Sequence, residues 1–221
     1  MQSQIFNAHH SPIGAFSTLT LGYPGNKGGL GTELGKPADS NFYVGIETEA
    51  GIYRALPFFA NQSDESERYD VEKKDEEKHE AERSTARILP FASYERHFDL
   101  ATDTFVADNL HFTIYSQVVS VPDPTTASDE EMMAAIQPAV LMELTIDNTL
   151  SATPKRAFIG YTGTAPYSAM RHFSPIGDLK GVGQGTLTAI ASLDEGIESA
   201  TGFSMETILS NTHRINWQFY L

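Results

Sequence analysis

In the run Leu110-His111-Phe112-Thr113-Ile114-Tyr115-Ser116-Gln117-Val118-Val119, apolar and polar residues alternate through Tyr115. Leu110, Phe112 and Ile114 fall on one parity, His111, Thr113 and Tyr115 on the other. Successive side chains of an extended chain point to opposite faces, so this pattern predicts an antiparallel strand with one face in a core and one in water. Similar period-two or aromatic-rich runs predict strands at 15–21, 42–47, 52–58, 94–100, 140–146, 157–161, 186–191 and 216–221. Turn chemistry separates them at 22–31, Glu49-Ala50-Gly51, Ala107-Asp108-Asn109 and Asp147-Asn148-Thr149. Two segments read as helix. Ser128-Asp129-Glu130-Glu131 is a capping box opening a short helix that Pro138 stops, and 202–210 is a second, capped by Ser204. Many short strands with few helices predict a mainly β, antiparallel β-sandwich instead of βαβ units.

Composition narrows the function classes. Of 221 residues, 40% are hydrophobic and 20% charged, enough apolar material for a substantial core. The formal charge of −14 repels phosphate backbones and anionic lipid, which argues against nucleic acid and membrane surfaces as partners. A neutral sugar meets no such penalty. The chain has no cysteine, so disulfides, thiolate metal sites and a cysteine nucleophile are excluded together. Residues 1–16 lack a basic start, an unbroken apolar stretch and a small-residue cleavage site, and no run approaches the roughly 18 apolar residues of a membrane span. The expectation is a soluble, cytoplasmic protein folded as a single domain over 1–221. Within it, 64–83 holds ten acidic and five basic residues among twenty and reads as a charged insertion loop.

The chain is poor in recognisable catalytic machinery. Glycoside hydrolysis needs two carboxylates across a sugar, and the main strand-borne acids are Glu47, Asp99 and Glu143. Each reads as a residue on the solvated face of a strand, with no evident partner at catalytic spacing. The seven histidines form no His-Glu-x-x-His pattern. His9 and His10 are adjacent, so on a strand they face opposite ways and do not grip one metal; no metal or other cofactor is expected. A Gly-x-Ser-x-Gly elbow is missing as well. Gly181-Val182-Gly183-Gln184-Gly185 has the glycines of a phosphate-binding turn, but a strand follows it instead of a helix, so it reads as a flexible turn.

Longer motifs point further. Phe6-Asn7-Ala8-His9-His10-Ser11-Pro12-Ile13-Gly14-Ala15-Phe16, then Thr20-Leu21-Gly22-Tyr23-Pro24-Gly25 and Gly28-Gly29-Leu30, resemble the opening of glycoside hydrolase family 52, the β-xylosidases. Ala101-Thr102-Asp103-Thr104, His111-Phe112-Thr113-Ile114-Tyr115-Ser116 and Val121-Pro122-Asp123-Pro124 are similar to that family, in its order. So are Thr145-Ile146-Asp147-Asn148-Thr149, Gly181-Val182-Gly183-Gln184-Gly185 and Phe203-Ser204-Met205-Glu206.

The resemblance implies an N-terminal β-sandwich packed on an (α/α)6 barrel. It implies a homodimeric, metal-independent enzyme that removes terminal xylose from short xylo-oligosaccharides with retention. Its glutamate nucleophile and aspartate acid/base belong to the barrel, beyond Leu221, so no residue here inherits either role. The chain is therefore expected to be a C-terminally truncated, inactive sandwich, its substrate handled by the absent barrel. His9 and His10, in a polar stretch that Pro12 stiffens, are the candidates for contact with substrate or barrel; the competing reading has them hydrogen-bonded within the sandwich. Two other functions stay open. One is a stand-alone carbohydrate-binding module using Tyr23, Tyr167 or Trp217 as a platform, the other a purely structural assembly domain.

Overall fold

The computed structural model describes residues 8–10, 17–21, 24–32, 39–60, 86–116, 120–151, 153–165, 167–172 and 178–214. Among them the chain runs through β1 (Ala8–His10), β2 (Ser17–Leu21), β3 (Gly29–Thr32), β4 (Phe42–Glu49), β5 (Ile52–Ala55), β6 (Arg87–Pro90) and β7 (Glu95–Phe98). It continues through β8 (Thr102–Ala107), β9 (Leu110–Tyr115), α1 (Asp129–Ala135), β10 (Leu141–Ile146) and β11 (Ala157–Tyr161). The last elements are β12 (Met170–His172), β13 (Lys180–Gln184), β14 (Thr188–Ser192) and α2 (Met205–Arg214). The expected charged loop at 64–83 and the expected strand at 216–221 lie outside the described residues.

The described residues form four sheets, in the orders β1-β2-β3, β10-β9-β8-β7, β11-β4-β5-β6 and β12-β13-β14. Pairing is antiparallel throughout except β5 with β6, joined by the long connection from Ala55 to Arg87. The fold class is the mainly β, sandwich-like one that the alternation predicts. In β9, Leu110, Phe112 and Ile114 are buried and His111 and Tyr115 exposed. Register puts Phe105 of β8 beside Phe112, and Leu144 of β10 beside it on the other side, so one apolar row crosses the sheet. The β8–β9 hairpin closes on Asp108 and Asn109, with Asp108 at φ 52° as such two-residue turns require.

That apolar face packs against β4. Phe42, Val44 and Ile46 of β4 join Phe58, Phe105, Phe112 and Ile114 in the main core, with Leu19 and Leu21 from β2 closing one side and Ile190 of β14 packing against it. Phe58 meets Phe105 edge to face at 4.8 Å, an arrangement the ring quadrupoles favour. The other face of β4 is covered too. Tyr43, Tyr53, Ala55, Phe59 and Phe158 form a second cluster capped by Leu209 and Met205 of α2. Met205 sits over Gly160, where a Cβ would clash with its terminal methyl at 2.6 Å.

Both helices form as predicted. The Ser128 hydroxyl accepts from Glu131 N–H at 3.2 Å while the Glu131 carboxylate accepts from Ser128 N–H at 2.9 Å, and α1 ends before Pro138. Ser204 Oγ accepts from Thr207 N–H at 3.1 Å at the head of α2. One expectation is corrected. Residues 181–184 are not a flexible turn but most of β13, the central strand of its sheet; only Gly185, at φ 58°, turns the chain. Glycine is tolerated in β13 because a Cβ at Gly181 would strike the paired strand at Ile190 and Ala191.

Candidate functional site

The polar centre of the sandwich grows from β1. His10 pairs with Leu19 in the ladder, and its side chain is buried. Its Nε2 lies 3.3 Å from Asp103 Oδ2 and its Nδ1 3.2 Å from Ser116 Oγ. Asp103 sits on the core face of β8, in line with Phe105 and Ala107, and is wholly inaccessible. Arg96 reaches it from edge strand β7 with two charge-assisted bonds, Nε to Oδ1 and Nη2 to Oδ2, both 2.7 Å. The guanidinium also lies over the rings of Phe105 and Phe98, at 4.8 and 5.6 Å.

The charge states follow from this geometry. Burial pushes the Asp103 carboxyl up, but the hydrogen bonds and charges of His10 and Arg96 outweigh it and hold the group below the usual aspartate range. An ionised carboxylate only accepts, so His10 Nε2 carries a proton. Nδ1 faces the Ser116 hydroxyl on the other side of the ring. Asp103, His10 and Ser116 thus stand in the order of a hydrolytic triad, but the details oppose that chemistry. Arg96 neutralises the carboxylate that would raise imidazole basicity, and the backbone N–H of Ser116 is bound to Ala101 O at 2.8 Å instead of waiting for an oxyanion. What the cluster does is tie β1 to the β7–β9 sheet.

Of the two candidate histidines, then, the structure places His10 inside the sandwich with both ring nitrogens engaged. His9 pairs with Thr20 in the β1–β2 ladder. Asp103 and Ser116 lie inside motifs quoted above without a role assigned to them, and Arg96 lies in none; only the pairing of β7 with β8 brings it to Asp103. The three acids expected on strands are held apart, and Asp99 lies in a turn instead of a strand. Glu47 accepts from Gly51 N–H and pairs with Arg156 at 3.5 Å. Glu143 accepts from Tyr115 Oη at 2.9 Å on the outer face, and Asp99 accepts from Leu100 N–H in the turn after β7. Of the aromatic platform candidates, Tyr167 is 99% exposed, while Tyr23 and Trp217 lie outside the described residues.

An apolar cleft of about 680 Å³ opens beside the core, walled by Pro24, Pro57 and Pro90 and floored by Phe59, Phe91 and Tyr94. Its size suits a small ligand, but among the described residues no acid lines it. Among the described residues no three His, Asp or Glu side chains are placed to hold a metal, and no helix is long and apolar enough to cross a membrane.

Comparison with known proteins adds a relationship to this geometry. The model of glycosyl hydrolase family 52 matches residues 19–221. One β-xylosidase of Geobacillus stearothermophilus is 48% identical over 222 residues, covering 98% of this chain and 31% of the relative. A second from the same organism is 41% identical over 195 residues, covering 84% of this chain and 32% of the relative. The chain thus spans about a third of the length of the curated relatives it matches.

Proposed function

Since the chain belongs to glycosyl hydrolase family 52, we propose that it supplies the non-catalytic β-sandwich of a β-xylosidase that releases terminal xylose from short xylo-oligosaccharides. The observation that carries this reading is a mismatch. The chain aligns over nearly its whole length with β-xylosidases about three times as long, yet Glu47, Asp99 and Glu143 are engaged locally on separate elements. A retaining glycosidase sets its two carboxyls about 5–5.5 Å apart across the bond it cuts. On this reading the reacting pair belongs to polypeptide outside these residues, with no cofactor. The same reading makes the whole enzyme a cytoplasmic homodimer acting on a neutral sugar, which suits a net charge of −14. His10 would act by anchoring β1.

An aryl β-xyloside assay tests the proposal. The 221-residue chain alone should give no turnover, and joining it to the remaining two thirds of a relative should give a β-xylosidase. Turnover by the chain alone that vanishes on replacing Glu47, Asp99 or Glu143 by alanine would show that the chemistry resides here.

A further inference from the structure

The two ends of the β10-β9-β8-β7 sheet differ in chemistry. At one end the β8–β9 turn meets the segment after β10 through polar groups. Asn109 Nδ2 donates to Asp147 O and Asp147 N–H to Asn109 O, both at 2.9 Å. The hydroxyl and N–H of Thr149 donate to the Asp147 carboxylate and hold it below the usual aspartate range. Aspartate and asparagine are ordinary turn chemistry in water, and one exposed leucine, Leu150, stands beside them. The opposite end gathers exposed Phe98, Leu100, Tyr115 and Leu141. Leu141 pairs with Tyr115, and Tyr115 in turn with Thr102. Ser116 N–H donates to Ala101 O at 2.8 Å, which sets the turn carrying Leu100 beside the end of β9. Phe98 pairs with Asp103, one residue further along β8. Tyr115 and Leu141 share the outer face, Phe98 lies on the core-side parity and Leu100 at the tip. Apolar surface thus wraps this end of the sheet.

The buried charge cluster braces that end. Asp103 is the ladder partner of Phe98, the Arg96 guanidinium lies over the Phe98 ring at 5.6 Å, and Ser116 follows Tyr115. A surface held in one shape beforehand loses less entropy when something docks on it. Leu100 is 84% exposed and Leu141 62%, so neither adds to the core. Single exposed apolar residues are ordinary, but four gathered at one end of a sheet mark a contact surface. Length names the occupant. Each matched β-xylosidase has about twice this chain's length again outside the aligned third. Domains of one polypeptide keep a fixed relative position only across a sizeable apolar interface. Two copies of this chain, each at −14, repel one another, which makes a second copy the weaker choice for this face.

We propose that the sheet end formed by Phe98, Leu100, Tyr115 and Leu141 is the face on which the rest of the longer enzyme's polypeptide packs, through an apolar surface of its own. The assignment rests on the reading that this chain is one part of a β-xylosidase. The chain has no cysteine, so single introduced thiols report on the face cleanly. Leu100→Cys, Leu141→Cys and the control Leu150→Cys are made in the 221-residue chain and in the chain joined to the remaining two thirds of a relative. Alkylation by iodoacetamide is followed at each site by mass spectrometry. Joining should slow the reaction of the two apolar-end thiols by at least about tenfold and leave the control unchanged. Leu100→Asp with Leu141→Asp should keep the thermal midpoint of the chain alone and lower that of the joined protein. Equal reactivity of the apolar-end thiols in both forms, or a joined midpoint indifferent to the double variant, overturns the assignment. So does protection already present in the chain alone that grows with its concentration, which makes a second copy the occupant. Aryl-xyloside turnover by the same joined protein decides the β-xylosidase reading separately. Turnover with unprotected thiols sinks only the docking face, and protected thiols without turnover sink only the reading.

Discussion

β9 and β4 contribute to the same core from facing sheets, yet they bury polar groups in opposite ways. β9 has one covered face, and its sheet carries a charge into the core at Asp103, where Arg96 and His10 satisfy it. β4 has both faces covered, by the β9 sheet and by α2, and its sheet carries the Tyr53 hydroxyl into the second cluster without a hydrogen-bond partner among the described residues. The Tyr53 phenol is pushed up to about 12 by burial and the nearby Glu47 charge, so it stays neutral. A buried charge is tolerable only when fully paired, whereas a neutral hydroxyl can be left unpaired at a smaller cost.

The largest effect should come from breaking the paired charge. Asp103→Asn leaves the Arg96 cation buried without its counter-ion and should cost about 3–5 kcal/mol in urea unfolding. Replacing the pair together, Asp103→Leu with Arg96→Met, should recover most of that loss, because both desolvation penalties disappear. A double variant no better than the single one would mean that His10 and Ser116 depend on the carboxylate themselves. Acid sharpens the test. The folded carboxyl lies below its unfolded value, so its contribution is complete above about pH 4 and is lost as pH falls through the depressed folded pKa. The stability gap between wild type and the double variant should therefore shift against the wild type in that acid window.

Crowding in the doubly covered sheet gives the intermediate effect. A Cβ at Gly45 would strike the carbonyl oxygen of Arg54 and approach Phe158 Cζ to 2.7 Å. Gly45→Ala should destabilise by about 1–3 kcal/mol through overpacking, read as a lower thermal midpoint. A neutral outcome would show that the Phe158 ring can give way. The smallest effect, of opposite sign, belongs to Tyr53. Tyr53→Phe removes the unpartnered hydroxyl and should raise stability by up to about 1 kcal/mol; a loss of that size would reveal a partner for it.

The same contrast explains what could be read in advance. β9 was legible because its covered face is wholly apolar, and β4 because five successive residues from Phe42 to Ile46 are buried. β8 was not. Its core-facing positions are Asp103, Phe105 and Ala107 and its outer ones Thr102, Thr104 and Val106, so the aspartate disguises the alternation. That aspartate is acceptable inside only because Arg96 and His10 arrive from other strands, the latter 93 residues away in sequence. β13 was misread for a related reason, since its glycines look like a turn until β14 supplies the close neighbour that requires one at Gly181.

Local chemistry written in consecutive residues was therefore decided by the chain alone: the mainly β class, the Ser128 and Ser204 caps, the Asp108 turn, the charge of −14 and the family motifs. What only the folded molecule settled are meetings between residues distant in sequence: His10 with Asp103 and Ser116, and Tyr115 with Leu141 at the apolar end of their sheet. Such meetings leave no periodic trace, because a hydrogen bond between two strands constrains one position on each and says nothing about its neighbours.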